Sequence, residues 1–265
     1  LTDITDASVV TLERRGHVLL MGLNRPEKRN AFNTELLFDL GRAYETLERD
    51  DDLRCGVLFA HGEHFTGGLD LAEVGPALAD GNLSYPDDAR DPWRNDGRRW
   101  TTPVIAVAQG WCMTLGIELL LACDIRIASA DTRFAQLEIQ RGIYPFGGAT
   151  FRLPREAGWG NAMRWLLTGD EYDAQEALRI GLVQEVTEPG RQLQRATEIA
   201  EAIATRSAPL GVRTTLESAQ RALVEGEAAA AARLTPDMVA LLGTADGAEG
   251  MMSFIERRPA TFTGR

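Results

Sequence analysis

Short apolar runs alternate with stretches of helical spacing through the first half of the chain. His17–Leu23 (HVLLMGL) is rich in strand formers and stops at the breaker sequence Asn24-Arg25-Pro26. Leu36, Leu37, Leu40, Tyr44 and Leu47 then recur at helical intervals, which predicts a helix over Glu35–Arg49 with Thr34 as its N-cap. Cys55–Ala60 (CGVLFA), Pro103–Ala108 (PVIAVA) and Asp124–Ala128 (DIRIA) read as further strands. Strands this continuously apolar suit a sheet buried on both faces, and helices between them imply parallel pairing by right-handed crossovers. The fold class is therefore α/β, built in layers.

Gly75–Asp96, rich in Asp, Pro and Gly, reads as a flexible loop or small insertion over the surface. From about Trp159 the spacing turns helical, with candidates over Asn161–Thr168, Asp173–Ile180, Gln192–Arg206, Pro209–Glu225 and Thr244–Arg257. The stretch GEAAAAARL adds a strongly helix-prone segment. The organisation is a β/α front that carries chemistry and an all-helical back that packs on it or on a neighbouring subunit.

Composition narrows the class of function. The 265 residues are 44% hydrophobic and 25% charged, as in a soluble globular protein. No apolar run is long enough for a transmembrane helix. The opening LTDITDASVV lacks the basic region and apolar core of a signal peptide. A net charge of −11 argues against general nucleic-acid binding, although a small basic site for an anionic ligand stays compatible with it. Lys28 is the only lysine among mostly arginine cations, a coding bias without functional weight. Cys55, Cys112 and Cys123 have no paired spacing and point to buried thiols in a reducing cytoplasm. His61 and His64 stand three apart in HGEH, but glycines surround them and no third metal ligand is evident, so they read as solvated loop residues and no metal is expected.

Two segments share one design: buried strand, glycine-containing turn, helix. They are Gly56–Val74 and Pro103–Asp124. A helix start after such a turn exposes backbone N–H groups without intrahelical partners, which favour negative charge. Two such turns facing each other could hold one oxygen as an oxyanion hole. Dinucleotide, phosphate-loop and nucleophile-elbow patterns are all absent. Glu118 opens the very apolar run ELLLAC and shares a helix face with Leu115, three residues before it. A structural ion pair with an arginine such as Arg126 accounts for it equally well at this point. Glu138 ends the strand-like segment FAQLEI, just before the sharply turning loop Arg141–Gly148. Together the two glutamates would make a general acid/base pair, whose pKa values an apolar pocket would raise.

Five motifs in order resemble the crotonase (enoyl-CoA hydratase/isomerase) superfamily over nearly the whole chain. They are Asn24–Ala31 (NRPEKRNA), His64–Leu71 (HFTGGLDL), Gly110–Asp124, Phe134–Gly148, and Glu249–Met251 with Phe254–Arg258. The resemblance implies a repeated ββα spiral core over residues 1–195 with the acyl-CoA site. It also implies a C-terminal helical trimerisation region over 196–265, and a homotrimer or dimer of trimers. Coenzyme A is implied only as the thioester part of the substrate, with no other cofactor. The implied oxyanion donors are the backbone N–H groups of Leu69 and Leu115, and the implied catalytic pair is Glu118 and Glu138. Lys28, Arg29 and Gly68, Leu69, Asp70, Leu71 and Ala72 fall where the family contacts coenzyme A. Thr114 and Leu115 stand where glycines are usual, and Leu137 where proline is common.

The expected activity is reversible syn-hydration of a trans-2-enoyl-CoA to a 3-hydroxyacyl-CoA. Its rivals are double-bond isomerisation, thioester hydrolysis or carbon–carbon cleavage at the same site, and acyl-CoA binding without catalysis.

Overall fold

The computed structural model describes residues 8–81, 83–98 and 100–265. Residues 1–7, most of the stretch expected not to be a signal peptide, lie outside the described residues. The first strands are β1 (Val10–Arg15) and β2 (Val18–Leu23), paired antiparallel. Then come α1 (Thr34–Arg49), β3 (Cys55–Ala60), α2 (Leu71–Ala79), β4 (Val104–Ala108), β5 (Trp111–Met113) and α3 (Leu115–Ala122). They are followed by β6 (Ile125–Ser129), β7 (Arg133–Ala135), α4 (Ala149–Ala157), α5 (Trp159–Thr168), β8 (Tyr172–Asp173), α6 (Ala174–Arg179) and β9 (Glu185–Thr187). The last four helices are α7 (Gln192–Arg206), α8 (Pro209–Glu225), α9 (Glu227–Leu242) and α10 (Ala245–Glu256).

Six strands form one sheet in the order β1-β2-β3-β4-β6-β9, parallel from β2 onward. Both faces are buried, as the unbroken apolar runs require. One face packs Val18, Leu20, Val57, Ile105 and Ile127 against Ala196, Ala200 and Ala204, which recur every four residues along α7. The other face meets α1 and α3 in the main core.

Short segments, two of them just after the long strands β4 and β6, build a second layer. β5, β7 and β8 make a three-stranded sheet. Single parallel bridges, Phe32 to Leu69 and Thr66 to Cys112, extend the same stacking to earlier turns of the chain. Each turn thus lays down a long strand, a short second-layer rung and a helix. This ββα repeat is the α/β spiral that the motifs implied.

Several expectations need correcting. The N-cap of α1 is Asn33, whose side chain accepts the Leu36 N–H at 3.0 Å, while Thr34 is already helical. The back half is not all helical, because β8 joins the second layer and β9 closes the main sheet beside β6. Gly75–Asp96 does not simply lie over the surface. Its start belongs to α2, and Ala89 and Trp93 are buried in contact with the body of the fold. Glu138 sits on a 3₁₀ helix, Leu137–Arg141, and not at a strand end.

Candidate active site

The turn after β3 is fixed by one buried asparagine. Asn30, in the NRPEKRNA segment, donates from Nδ2 to the carbonyls of His61 (2.9 Å) and His64 (2.8 Å), and accepts the Arg25 N–H. Thr66 donates its hydroxyl to the Asn30 carbonyl at 2.7 Å and accepts the Gly68 N–H at 3.0 Å. Phe32 then brackets the next residues, donating to the Gly68 carbonyl and accepting the Asp70 N–H. The Leu69 N–H between them takes no hydrogen bond within the described residues.

The second turn mirrors the first. Leu115 is the first residue of α3, and its N–H likewise has no partner within the described residues. Thr114 ahead of it holds φ 50° and ψ −116°, a backbone region that L-residues rarely occupy. Trp93 donates its indole N–H to the Leu115 carbonyl at 3.0 Å and packs edge-on against Phe32. The segment expected to be a surface loop therefore braces the start of α3.

Leu69, Leu115, Glu118 and Glu138 all line one cavity of about 210 Å³. Gly67, Leu71, Thr114, Leu137, Arg141, Ile143 and Phe146 complete its wall. Glu118 is 1% exposed and Glu138 7% exposed. Burial pushes the Glu118 carboxyl up to about 7, against the opposing pull of the Ala149, Gly147 and Gly148 N–H groups and the Arg152 cation. The Ala149 N–H reaches Glu118 Oε1 at 3.0 Å. Glu138 is also pushed up to about 7, by burial first and then by the nearby Glu118 charge. The alternative partner for Glu118 is removed, because Arg126 donates to Glu156 at 2.7 Å and to the Leu182 and Cys123 carbonyls.

Gln136 was not singled out from the sequence. It is fully buried, and with its amide oriented by the acceptors around it Nε2 reaches both Glu138 oxygens (3.2 and 3.1 Å) and the Thr114 carbonyl (3.1 Å). It ties the second carboxylate to the peptide unit that carries the Leu115 N–H. No spacing rule marks a single glutamine for this. Its place two residues before a candidate acid, just after a short second-layer strand, was the available signal.

The remaining expected residues sit around the cavity mouth or outside it. Leu71 lines the cavity at the start of α2. Gly68 holds φ +100° and lies against the Thr114 side chain, where a Cβ would collide. Asp70 is paired with Arg25 at 2.9 Å. Ala72, Lys28 and Arg29 are exposed and not in the cavity wall, and the Arg29 guanidinium lies 4.6 Å over the Trp111 ring. His61 and His64 are not free solvated residues: His61 Nε2 contacts the Thr11 hydroxyl at 2.7 Å, and His64 Nδ1 accepts the Trp111 N–H at 3.1 Å.

Comparison with known proteins gives the family. The enoyl-CoA hydratase/isomerase family model matches residues 13–265. The chain belongs to the enoyl-CoA hydratase/isomerase family. Enoyl-CoA hydratase EchA19 of Mycobacterium tuberculosis is 34% identical over 258 residues, 96% of each chain. (E)-benzylidenesuccinyl-CoA hydratase of Thauera aromatica is 35% identical, covering 96% of this chain and 99% of its own. A crystal structure of a "probable enoyl-CoA hydratase/isomerase" from Mycobacterium abscessus is 49% identical with a TM-score of 0.94, over 97% of this chain and 99% of that one. Within the family frame, the departures at Thr114, Leu115 and Leu137 are accommodated without loss of either carboxylate from the cavity.

Proposed function

We propose that this protein hydrates trans-2-enoyl-CoA thioesters to 3-hydroxyacyl-CoA. The observation that carries the reading is two buried carboxyls, each near neutral pKa, sharing one cavity with two backbone N–H groups that have no partner among the described residues. The thioester oxygen rests between the Leu69 and Leu115 N–H groups, which stabilise the charge that gathers there in the enolate-like transition state. Glu118, ionised, takes a proton from water as its oxygen adds to the β-carbon. Glu138, protonated, delivers a proton to the α-carbon on the same face, and the double bond becomes single. Proton transfer between groups with pKa near the working pH is efficient. Coenzyme A enters only as part of the substrate, with Lys28, Arg29 and Gly68–Ala72 assigned to its contacts near the cavity mouth.

We assign residues 1–195 to the acyl-CoA site and residues 196–265 to self-association as a trimer or dimer of trimers. Support comes from exposed apolar side chains there: Leu234, Met238 and Leu242 recur every four residues on α9, and Phe254 is 85% exposed on α10. A cytoplasmic location accords with three buried, unpaired thiols.

The test is turnover of a short trans-2-enoyl-CoA by the purified protein and by Glu118→Gln and Glu138→Gln. Loss of about a hundredfold or more in each variant is expected. Full activity in both would remove the two-glutamate scheme, and conversion of a 3-enoyl-CoA to its 2-isomer without hydration would replace hydration by isomerisation.

A further inference from the structure

Among the described residues the cavity wall contains one cation, Arg141. It ends the 3₁₀ helix that carries Glu138, and Gly142 behind it (φ 78°) turns the chain so that Ile143 and Phe146 return to the same wall. The other arginines around the site have partners. Arg25 pairs with Asp70, Arg94 with Asp124 and Arg126 with Glu156, while Arg152 donates to the Gly147 and Arg94 carbonyls. The Arg141 guanidinium has no hydrogen bond, ion pair or ring contact among the described residues. This is notable in a chain with 39 acidic and 28 basic residues. Lys28 and Arg29, the cations assigned to coenzyme A, are outside this wall. The rest of the lining, beyond the catalytic groups, is mainly Leu69, Leu71, Leu115, Leu137, Ile143 and Phe146, which suit methylene groups.

We propose that Arg141 is an anion subsite for the acyl chain, so that the substrates of this site are enoyl-CoA thioesters carrying a second, distal carboxylate. The inference rests on the acyl-CoA reading above. Apolar side chains hold the methylenes, and the planar guanidinium donates to the terminal carboxylate in a two-point hydrogen-bonded pair, a geometry that lysine does not reproduce. A methyl-ended chain of equal length leaves that pair unmade. Charge-assisted hydrogen bonds of this kind correspond to a preference of roughly ten- to a hundredfold.

The experiment measures binding of saturated thioesters, so that its outcome does not depend on hydration. Glutaryl-, adipyl- and suberyl-CoA are titrated against methyl-ended thioesters of matching length by calorimetry, with free coenzyme A as reference, on wild type and Arg141→Met. At least one dicarboxylyl thioester should bind about tenfold or more tightly than its methyl-ended match. Arg141→Met should abolish that preference while leaving the methyl-ended thioesters and coenzyme A unchanged. Equal binding across every pair in wild type overturns the proposal. So does equal weakening of all ligands, coenzyme A included, which would assign Arg141 to the phosphates. A retained binding preference with no turnover of the matching enoyl thioesters would fault the hydratase reading and leave the subsite standing.

Discussion

A Cβ built on Gly147 would stand 2.5 Å from Glu118 Oε2 and 2.9 Å from its carboxyl carbon. The glycine is what allows the backbone of the turn before α4 to close on the carboxylate and donate N–H groups to it. Gly147→Ala should therefore push Glu118 off its aim without unfolding the chain. A displacement of this order costs about ten- to a hundredfold in kcat. Steady-state kinetics alongside a thermal melt check it, and an active variant with unchanged Tm would mean that the carboxylate tolerates another position.

Burial also makes the glutamate pair a source of pH-dependent stability. Both carboxyls are raised from 4.5 to about 7 on folding. The folded state thus binds their protons more tightly than the unfolded state. That contribution is complete below pH 4.5 and is lost as pH rises through about 7. The double variant Glu118→Gln/Glu138→Gln lacks both titrations. Relative to it, wild type should lose about 5 kcal/mol between pH 5 and pH 8, read by denaturant unfolding. Parallel curves would show that the carboxyls are not raised. The activity profile should be a narrow bell centred near neutrality, because turnover needs one group protonated and its neighbour ionised.

Burial decides how much of the fold the sequence displays. Cys55–Ala60 matches its strand residue for residue, because a strand packed on both faces shows as an unbroken apolar run. Trp111–Met113, Arg133–Ala135 and Tyr172–Asp173 are too short for any periodicity, and their pairing exists only once the spiral has brought successive turns together. Gly75–Asp96 concealed its anchors behind a polar composition, since the burial of Trp93 depends on Phe32 and Leu115 and not on its neighbours in sequence. In the site, Glu118 announced itself as a lone charge in an apolar helix. Glu138 rested on motif resemblance, because the 3₁₀ turn that buries it carries no signal of its own. Gln136 and Arg152 act through side-chain direction, which spacing does not specify.

Arg152 lies behind the Gly147 turn and donates to its carbonyl at 3.1 Å, and to the Arg94 carbonyl and Asn95 Oδ1 at 3.3 Å each. Its charge favours the ionised form of Glu118. Arg152→Met removes the charge and loosens the turn, so the acidic limb of the kcat profile should move up by roughly one pH unit. Arg152→Lys keeps the charge and should hold the limb near its original place even where kcat falls. A limb that stays put in Arg152→Met would show that the N–H groups alone set the ionisation of Glu118.

Thr114 is the strained link between the two halves of the oxyanion site. At φ 50° and ψ −116° it turns β5 into α3 and presents the Leu115 N–H to the cavity. A β-branched residue held there costs about 1–3 kcal/mol. Its side chain also rests against Gly68, whose missing Cβ makes room for it. Thr114→Gly relieves the strain and sacrifices a half-buried hydroxyl and methyl. It also frees the unfolded chain by about 0.4–1 kcal/mol. The net expectation is stabilisation of about 1 kcal/mol, a Tm rise of about 2–4 °C for a chain of this size. The donor is a backbone N–H that the substitution leaves in place, so kcat/KM should stay within about twofold. Thr114→Ala keeps a Cβ in the same backbone conformation and should recover less of the stability. A lower Tm for Thr114→Gly would show that the contact with Gly68 outweighs the strain, and that the threonine locks the two turns together.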